Sequence, residues 1–172
     1  VETRDHKLWN SMLCRCYDEK LHAYRPTYEK CSVSDNFKYL PYFEEWCHQQ
    51  IGFDQVGWQL DKDILIKGNK IYSEDTCCFV PAEINSLFIK CDRSRGEYPI
   101  GVSYHKRVRK YVAKMRKFKE NIHLGYFSKP DEAFNAYKQA KEDYIKEVAE
   151  KWKDQIDPRV YEALMSYEAQ TN

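Results

Sequence analysis

Apolar side chains in the first third of the chain recur at helical spacing. Residues 6–22 carry them at intervals of three and four positions, which predicts one amphipathic helix that ends before Pro26. A second helix is predicted after Ser34 and Asp35. Its inner face is formed by Tyr39, Phe43, Trp46 and Cys47. Aromatic residues at such spacing are typical of a core, so this part is predicted to be a small helical unit.

The pattern changes between residues 56 and 85. Residues 59–66 are predicted to form a strand, residues 67–70 a turn that contains Gly and Asn, and residues 70–72 a returning strand. Ser73 is predicted to cap a helix, because acidic residues follow it where the helix dipole favours them. A further short helix is expected at residues 81–85. The predicted order is therefore strand, turn, strand, helix.

The last third combines three short strands with a long helix. Residues 100–105, 111–116 and 122–127 alternate in part between apolar and polar side chains, as strands do. A helix is predicted from Pro130 to about Trp152, and a shorter one over residues 158–168. The polar stretch 86–98 is predicted to be a linker. The chain is therefore predicted to be an α+β protein with domains at residues 1–90 and 96–172, the second a three-stranded antiparallel sheet packed on one long helix.

Charge is balanced over the chain and concentrated in one segment. The 172 residues carry a formal net charge of +1, yet the segment from Lys106 to Lys119 holds eight Lys or Arg and no acid. Such a block indicates a local site for a polyanion. Period two places polar and cationic side chains on the sheet face away from the helix. The predicted DNA-binding residues on that face are Ser103, His105, Lys110, Lys114, Arg116, Asn121 and His123.

Those residue types can donate hydrogen bonds to base edges and to phosphates, so double-stranded DNA is the predicted partner. The competing interpretation is an ordinary solvated sheet face, but such a face mixes both signs of charge. RNA is a weaker alternative, because no aromatic residue is predicted on that face.

The cysteines and the hydropathy pattern indicate a cytoplasmic protein. None of the seven cysteines forms a C-x-x-C pair, so reduced thiols are expected. A structural zinc site remains an alternative, although irregular spacing disfavours it; its ligands would be Cys14, Cys16, Cys31 and Cys47. The sequence shows no signal peptide and no apolar run of about 20 residues, so neither secretion nor a membrane association is expected.

Four motifs in the last third carry a resemblance. The segments Tyr98–Val102, Lys110–Arg116, His123–Phe127 and Asp131–Tyr137 resemble the Apetala-two-type DNA-binding domain over residues 98–145. The resemblance implies that the sheet reads duplex DNA. The chain has Ser103, His105 and His123 where that family favours Arg and Trp, which leaves the target sequence open.

The central residues also resemble a family. Their polar side chains alone favour an exposed turn beside a capped helix. However, the segments Leu60–Leu65, Gly68–Lys70 and Cys77–Pro81 resemble phage HNH endonucleases of the homing type, which often carry a C-terminal Apetala-two-type domain. The resemblance implies a degenerate HNH module of the ββα-metal type, in a phage protein that acts in the host cytoplasm.

The endonuclease resemblance also implies site residues. Asp61 and Asn85 would hold a divalent metal, Mg²⁺ being expected, and the catalytic positions would be Asp61, Lys62 and Asn69. Lys62 stands in the place of the general-base histidine, and a lysine is mostly charged near neutral pH. Two hypotheses follow: a metal-dependent endonuclease that hydrolyses duplex DNA, or a catalytically inactive DNA-binding regulator or interaction protein derived from one.

Overall fold

The computed structural model describes residues 2–89 and 96–171, and it divides into two compact units. One unit comprises Val1–Asn85 and Lys153–Ala163, and the other comprises Ser86–Trp152 and Leu164–Asn172. Part of the predicted linker, residues 90–95, lies outside the described residues. None of the helices in the two described ranges combines the length and the hydropathy needed to cross a membrane.

Short helices and very short strands make up the first unit. Its elements are α1 (Arg4–Tyr17), α2 (Glu19–Tyr24), a 3₁₀ turn (Pro26–Tyr28), β1 (Ser32–Val33), α3 (Leu40–Gln49), β2 (Gln59–Asp61), β3 (Ile71–Tyr72), β4 (Cys78–Val80) and α4 (Ala82–Ser86), which ends just past the unit boundary. The helix predicted over residues 6–22 is two helices. Asp18 ends the first, and its carboxylate caps the second by accepting the N–H groups of Lys20 and Leu21.

Aromatic packing fills the core of the first unit. The Phe37 ring lies 5.0 Å from that of Phe43 and 4.8 Å from that of Trp46. Trp9 joins helix α1 to this cluster by donating its indole N–H to the carbonyl of Phe37 at 2.8 Å. The predicted inner helix face is confirmed for Phe43, Trp46 and Cys47, which are all buried. It is wrong for Tyr39, which precedes α3 and is 66% exposed.

The hairpin predicted over residues 59–72 is wrong. Strand β2 ends at Asp61 and pairs antiparallel with β4, whereas β3 pairs parallel with β1. The strand ends early because the Asp61 carboxylate accepts the N–H groups of Asp63 and Ile64, each at 2.8 Å, which turns the backbone. The helix predicted from Ser73 is also absent. Residues 73–76 form a turn, closed by the Ser73 N–H donating to the Thr76 hydroxyl.

The second unit contains the predicted three-stranded sheet and long helix. Its elements are β5 (Val102–His105), β6 (Lys110–Lys117), β7 (Glu120–Phe127) and α5 (Pro130–Trp152), and α6 (Pro158–Met165) follows across the unit boundary. The strands are antiparallel with β6 in the middle. The prediction of an antiparallel sheet packed on one long helix is therefore confirmed.

Gly101 allows helix α5 to approach the sheet closely. A Cβ atom at this position would lie 2.1 Å from the ring of Tyr137, and the backbone φ of Gly101 is +78°. Both the space and the backbone conformation therefore require glycine. The buried α5 side chains Ala133 and Tyr144 belong to the same helix face.

We expect Gly101→Ala to destabilise the sheet and helix strongly. The positive φ should lower the free energy of unfolding by about 1–2 kcal/mol, and the clash with Tyr137 should lower it by about 1–3 kcal/mol more. Thermal unfolding followed by circular dichroism measures the loss. Gly68→Ala is the control, because Gly68 has the same φ of +78° but no atom within 4 Å of an added Cβ. Equal losses in the two variants would contradict the proposed close approach.

Candidate functional site

Strand β6 sends its side chains alternately to two different environments. Ala113 and Met115 are buried on the face that packs against α5, whereas Lys114 and Arg116 are exposed on the opposite, outward face. Lys117 returns to the helix side, where its ammonium lies 2.7 Å from the Glu147 carboxylate. Alternation along the strand thus separates cations that are available to a ligand from one that is neutralised.

All seven predicted DNA-binding residues lie on this outward face. Cross-strand neighbours share a face, and the register pairs Ser103 with Val112, His105 with Lys110, Lys114 with His123, and Arg116 with Asn121. Six of the seven are exposed and His105 is half-buried. The outward face carries no carboxylate on its strands, because the acid of β7, Glu120, pairs with Lys117 on the helix side.

A break in the pairing adds an aromatic residue that the sequence pattern missed. Ala113 pairs with Gly125 but Lys114 pairs with His123, so Leu124 is an extra residue in β7. This bulge shifts the alternation and brings Tyr126 to the outward face, opposite Val112. Tyr126 is 44% exposed. A glycine inside a strand, here Gly125 with φ +139°, was the available sequence signal for a bulge.

A basic turn connects β5 to β6 at one end of the same sheet. Its residues Lys106, Arg107, Val108 and Arg109 are all exposed. The turn is held by the Val108 N–H, which donates to His105 Nδ1 at 3.3 Å, and by the Arg109 N–H, which donates to the His105 carbonyl at 2.8 Å. Within the described ranges, Lys117 is the one cation of the basic segment that forms a salt bridge.

The central residues Asp61 and Lys62 form a partly buried charged cluster. Burial, followed by the nearby charge of Asp63, raises the pKa of Asp61 to about 6. Lys62 is buried, at 7% exposure. Its ammonium lies 3.5 Å from the Asp63 carboxylate and 5.7 Å from the centre of the Tyr72 ring. The lysine therefore places a positive charge beside the two carboxylates.

The two asparagines of the predicted site are engaged in other hydrogen bonds. Asn69 donates from its amide nitrogen to the carbonyls of Lys62 and Ile71, at 2.6 and 2.7 Å, and thereby closes the loop between them. Asn85 donates to the side-chain oxygen of Gln59, two residues before Asp61 on β2. Both amides thus fix the local backbone or a neighbouring strand.

The residues around the predicted metal site already make contacts within the protein. No group of three or more His, Cys, Asp or Glu side chains is arranged to hold an ion in the part of the chain that the structure describes. One oxygen of Asp61 already accepts two backbone N–H groups, and the Lys62 ammonium supplies the positive charge that a metal would otherwise provide. For the alternative zinc site, Cys16, Cys31 and Cys47 are buried free thiols, whereas Cys14 is an exposed one.

Comparisons of the chain with protein-family models, with curated proteins and with solved structures found no match. The resemblances to the Apetala-two-type domain and to HNH endonucleases therefore stay predictions. The placement and the charge of the residues described above bear on function independently of these resemblances.

We expect Asp61→Asn to stabilise the protein at neutral pH. Because the folded-state pKa of Asp61 lies above its ordinary value of 3.8, ionisation opposes folding, and wild-type stability should fall as the pH rises from about 4 through 6. Asparagine keeps the acceptor oxygen without the charge, so the free energy of unfolding at neutral pH should rise by about 1–3 kcal/mol. Chemical unfolding of both proteins at several pH values measures this, and the difference should vanish below about pH 4.

The same pair of proteins tests the metal site. A ligand stabilises the state that binds it, so Mg²⁺ held by Asp61 would raise the unfolding temperature of the wild type more than that of Asp61→Asn. We expect equal, small effects. A selective effect on the wild type would show that the carboxylate binds the ion.

Proposed function

We propose that this protein binds duplex DNA through the outward face of strands β5, β6 and β7. From the sequence resemblance, we also propose that its central module, residues 56–85, is a catalytically inactive relative of an HNH endonuclease. The observation that carries the proposal is the composition of that face. It presents hydrogen-bonding and cationic side chains, no strand carboxylate, and exposed cations such as Lys114 and Arg116 that have no salt bridge among the described residues.

The dimensions of the sheet suit the major groove of DNA. Three strands at a spacing of about 4.8 Å span about 10 Å, and the groove is about 12 Å wide. Lys and Arg contact guanine edges or phosphates, and Asn121 offers the amide that pairs with adenine edges. The basic turn at residues 106–109 extends the cationic surface beyond the strands, where the phosphate backbone would lie. The resemblance to the Apetala-two-type domain supports the same binding mode.

The second candidate function is metal-dependent cleavage of DNA. The raised pKa of Asp61 favours it, because perturbed carboxyl groups are common at catalytic sites. The buried Lys62 ammonium and the engaged amides of Asn69 and Asn85 favour binding without cleavage. A protonated lysine cannot accept a proton from the attacking water, which general-base catalysis requires.

We expect Lys114→Ala and Arg116→Ala each to weaken duplex binding by about fivefold or more, because a charge-assisted contact contributes about 1 kcal/mol or more. Fluorescence anisotropy over a series of salt concentrations measures this. Removing one cation that touches a phosphate should also lower the slope of log affinity against log salt by about one. Lys117→Ala is the matched control, since it removes a cation of the same strand from the opposite face.

If Lys117→Ala weakened binding as much as the two outward substitutions, the charge would act as a diffuse patch. That result would contradict recognition by the outward face.

For catalysis, we expect no nicking of supercoiled plasmid above background with Mg²⁺ or Mn²⁺, either by the wild type or by Lys62→His. The substitution supplies an imidazole that titrates near neutral pH, so it would restore a site that lacks only its base. Gel analysis of the plasmid forms measures the result, with Asp61→Ala as the background control. Nicking that depends on metal and disappears in Asp61→Ala would establish the endonuclease instead.

A further inference from the structure

Tyr126 is an exposed aromatic side chain on an otherwise polar and cationic face. Its cross-strand neighbour Val112 is only 2% exposed, whereas Tyr126 is 44% exposed. Among the described strand residues of the outward face, Tyr126 therefore supplies the large apolar surface that a ligand can reach. It reaches that position only because of the bulge at Leu124, so the pattern of alternation alone would have placed it against the helix.

The neighbouring rings do not form a flat stacking surface. The Tyr126 ring centre lies 5.6 Å from that of His105 and 4.7 Å from that of His123, at interplanar angles of 88° and 56°. Unpaired bases stack on aromatic faces that are open to the ligand, and rings tilted against one another offer edges as well as faces. The arrangement therefore favours contact with the groove edge of a base pair over stacking of single-stranded bases.

Resting on the proposed binding of duplex DNA, we propose that Tyr126 contacts the C5-methyl group of a thymine in the major groove. Thymine presents a methyl group beside the O4 acceptor there. The apolar Tyr126 ring can pack against the methyl group. The imidazoles of His105 and His123 lie beside this ring and carry N–H groups that can donate to O4. The class of ligand is thus a duplex with a thymine at one fixed position of the bound site.

The test removes the methyl group alone. Duplexes that the wild type binds are selected from a random library, and each thymine of a selected duplex is then replaced singly by deoxyuridine. At one position the wild type should lose about fourfold in affinity, the value expected for one buried methyl group. Tyr126→Phe should keep that sensitivity, because the hydroxyl is not needed, and Tyr126→Ser should lose it.

Tyr104→Ser is the matched control. Tyr104 is similarly exposed, at 41%, but it lies on the helix side of the same sheet, where its ring contacts that of Tyr111 at 5.2 Å. This variant should respond to deoxyuridine as the wild type does. The wild-type measurement with modified DNA needs no substitution in the protein, so a lack of sensitivity at every thymine would overturn the methyl contact even if Tyr126→Ser folds poorly.

The outcomes separate this inference from the proposed function. Tight duplex binding by the wild type without sensitivity at any thymine would overturn the methyl contact and leave the proposed function standing. Sensitivity that persists in Tyr126→Ser would assign the methyl contact to another residue. Failure of the wild type to bind any duplex would overturn the proposed function itself. A preference for single strands that Tyr126→Ser removes would replace the methyl contact with base stacking.

Discussion

The alternation of side chains along β6 is the constraint on which the rest of the second unit depends. One set of positions, including Ala113 and Met115, must be apolar and compact because α5 lies against it. The other set is thereby left free to carry Lys114 and Arg116. A shift of the register by one residue would bury both cations and expose the core, at a cost that no surface contact could offset. Burial on one face therefore fixes the chemistry of the other.

The bulge at Leu124 interrupts the alternation of side chains in β7 and so adds an aromatic residue to the outward face. Before the bulge, β7 presents Asn121 and His123 outward; after it, Tyr126 takes the outward position. Gly125 adopts φ +139°, a conformation that a side chain would strain, so the glycine makes the bulge possible. A polar and cationic surface thereby gains an exposed aromatic side chain.

The sequence predicted those elements that form from a local pattern of side chains, and it failed for strands whose partners are distant in the chain. The sheet and long helix were predicted because their periodicity is sustained over whole elements, and the seven outward residues followed from period two. Tyr126 was missed because alternation cannot be extended across a bulge. The central hairpin was wrong because β3 pairs with β1 some 40 positions earlier, a partner invisible in any short window. The strand predicted over residues 59–66 ends early because Asp61 accepts two backbone N–H groups, and alternation does not show such a contact.

The two charged regions of the chain differ in how their charge is compensated. Among the central residues, the positive charge of Lys62 is buried beside the Asp63 carboxylate, so its charge is compensated within the protein and is not free for a phosphate. On the sheet, the cations repel one another and have no carboxylate on their own face, although the whole chain is almost neutral at +1. Such a concentration of like charge opposes folding, and a bound polyanion would relieve it. The uncompensated positive charge therefore lies on the sheet, where a bound polyanion can neutralise it. This is the physical reason to assign binding to the sheet rather than to the central cluster.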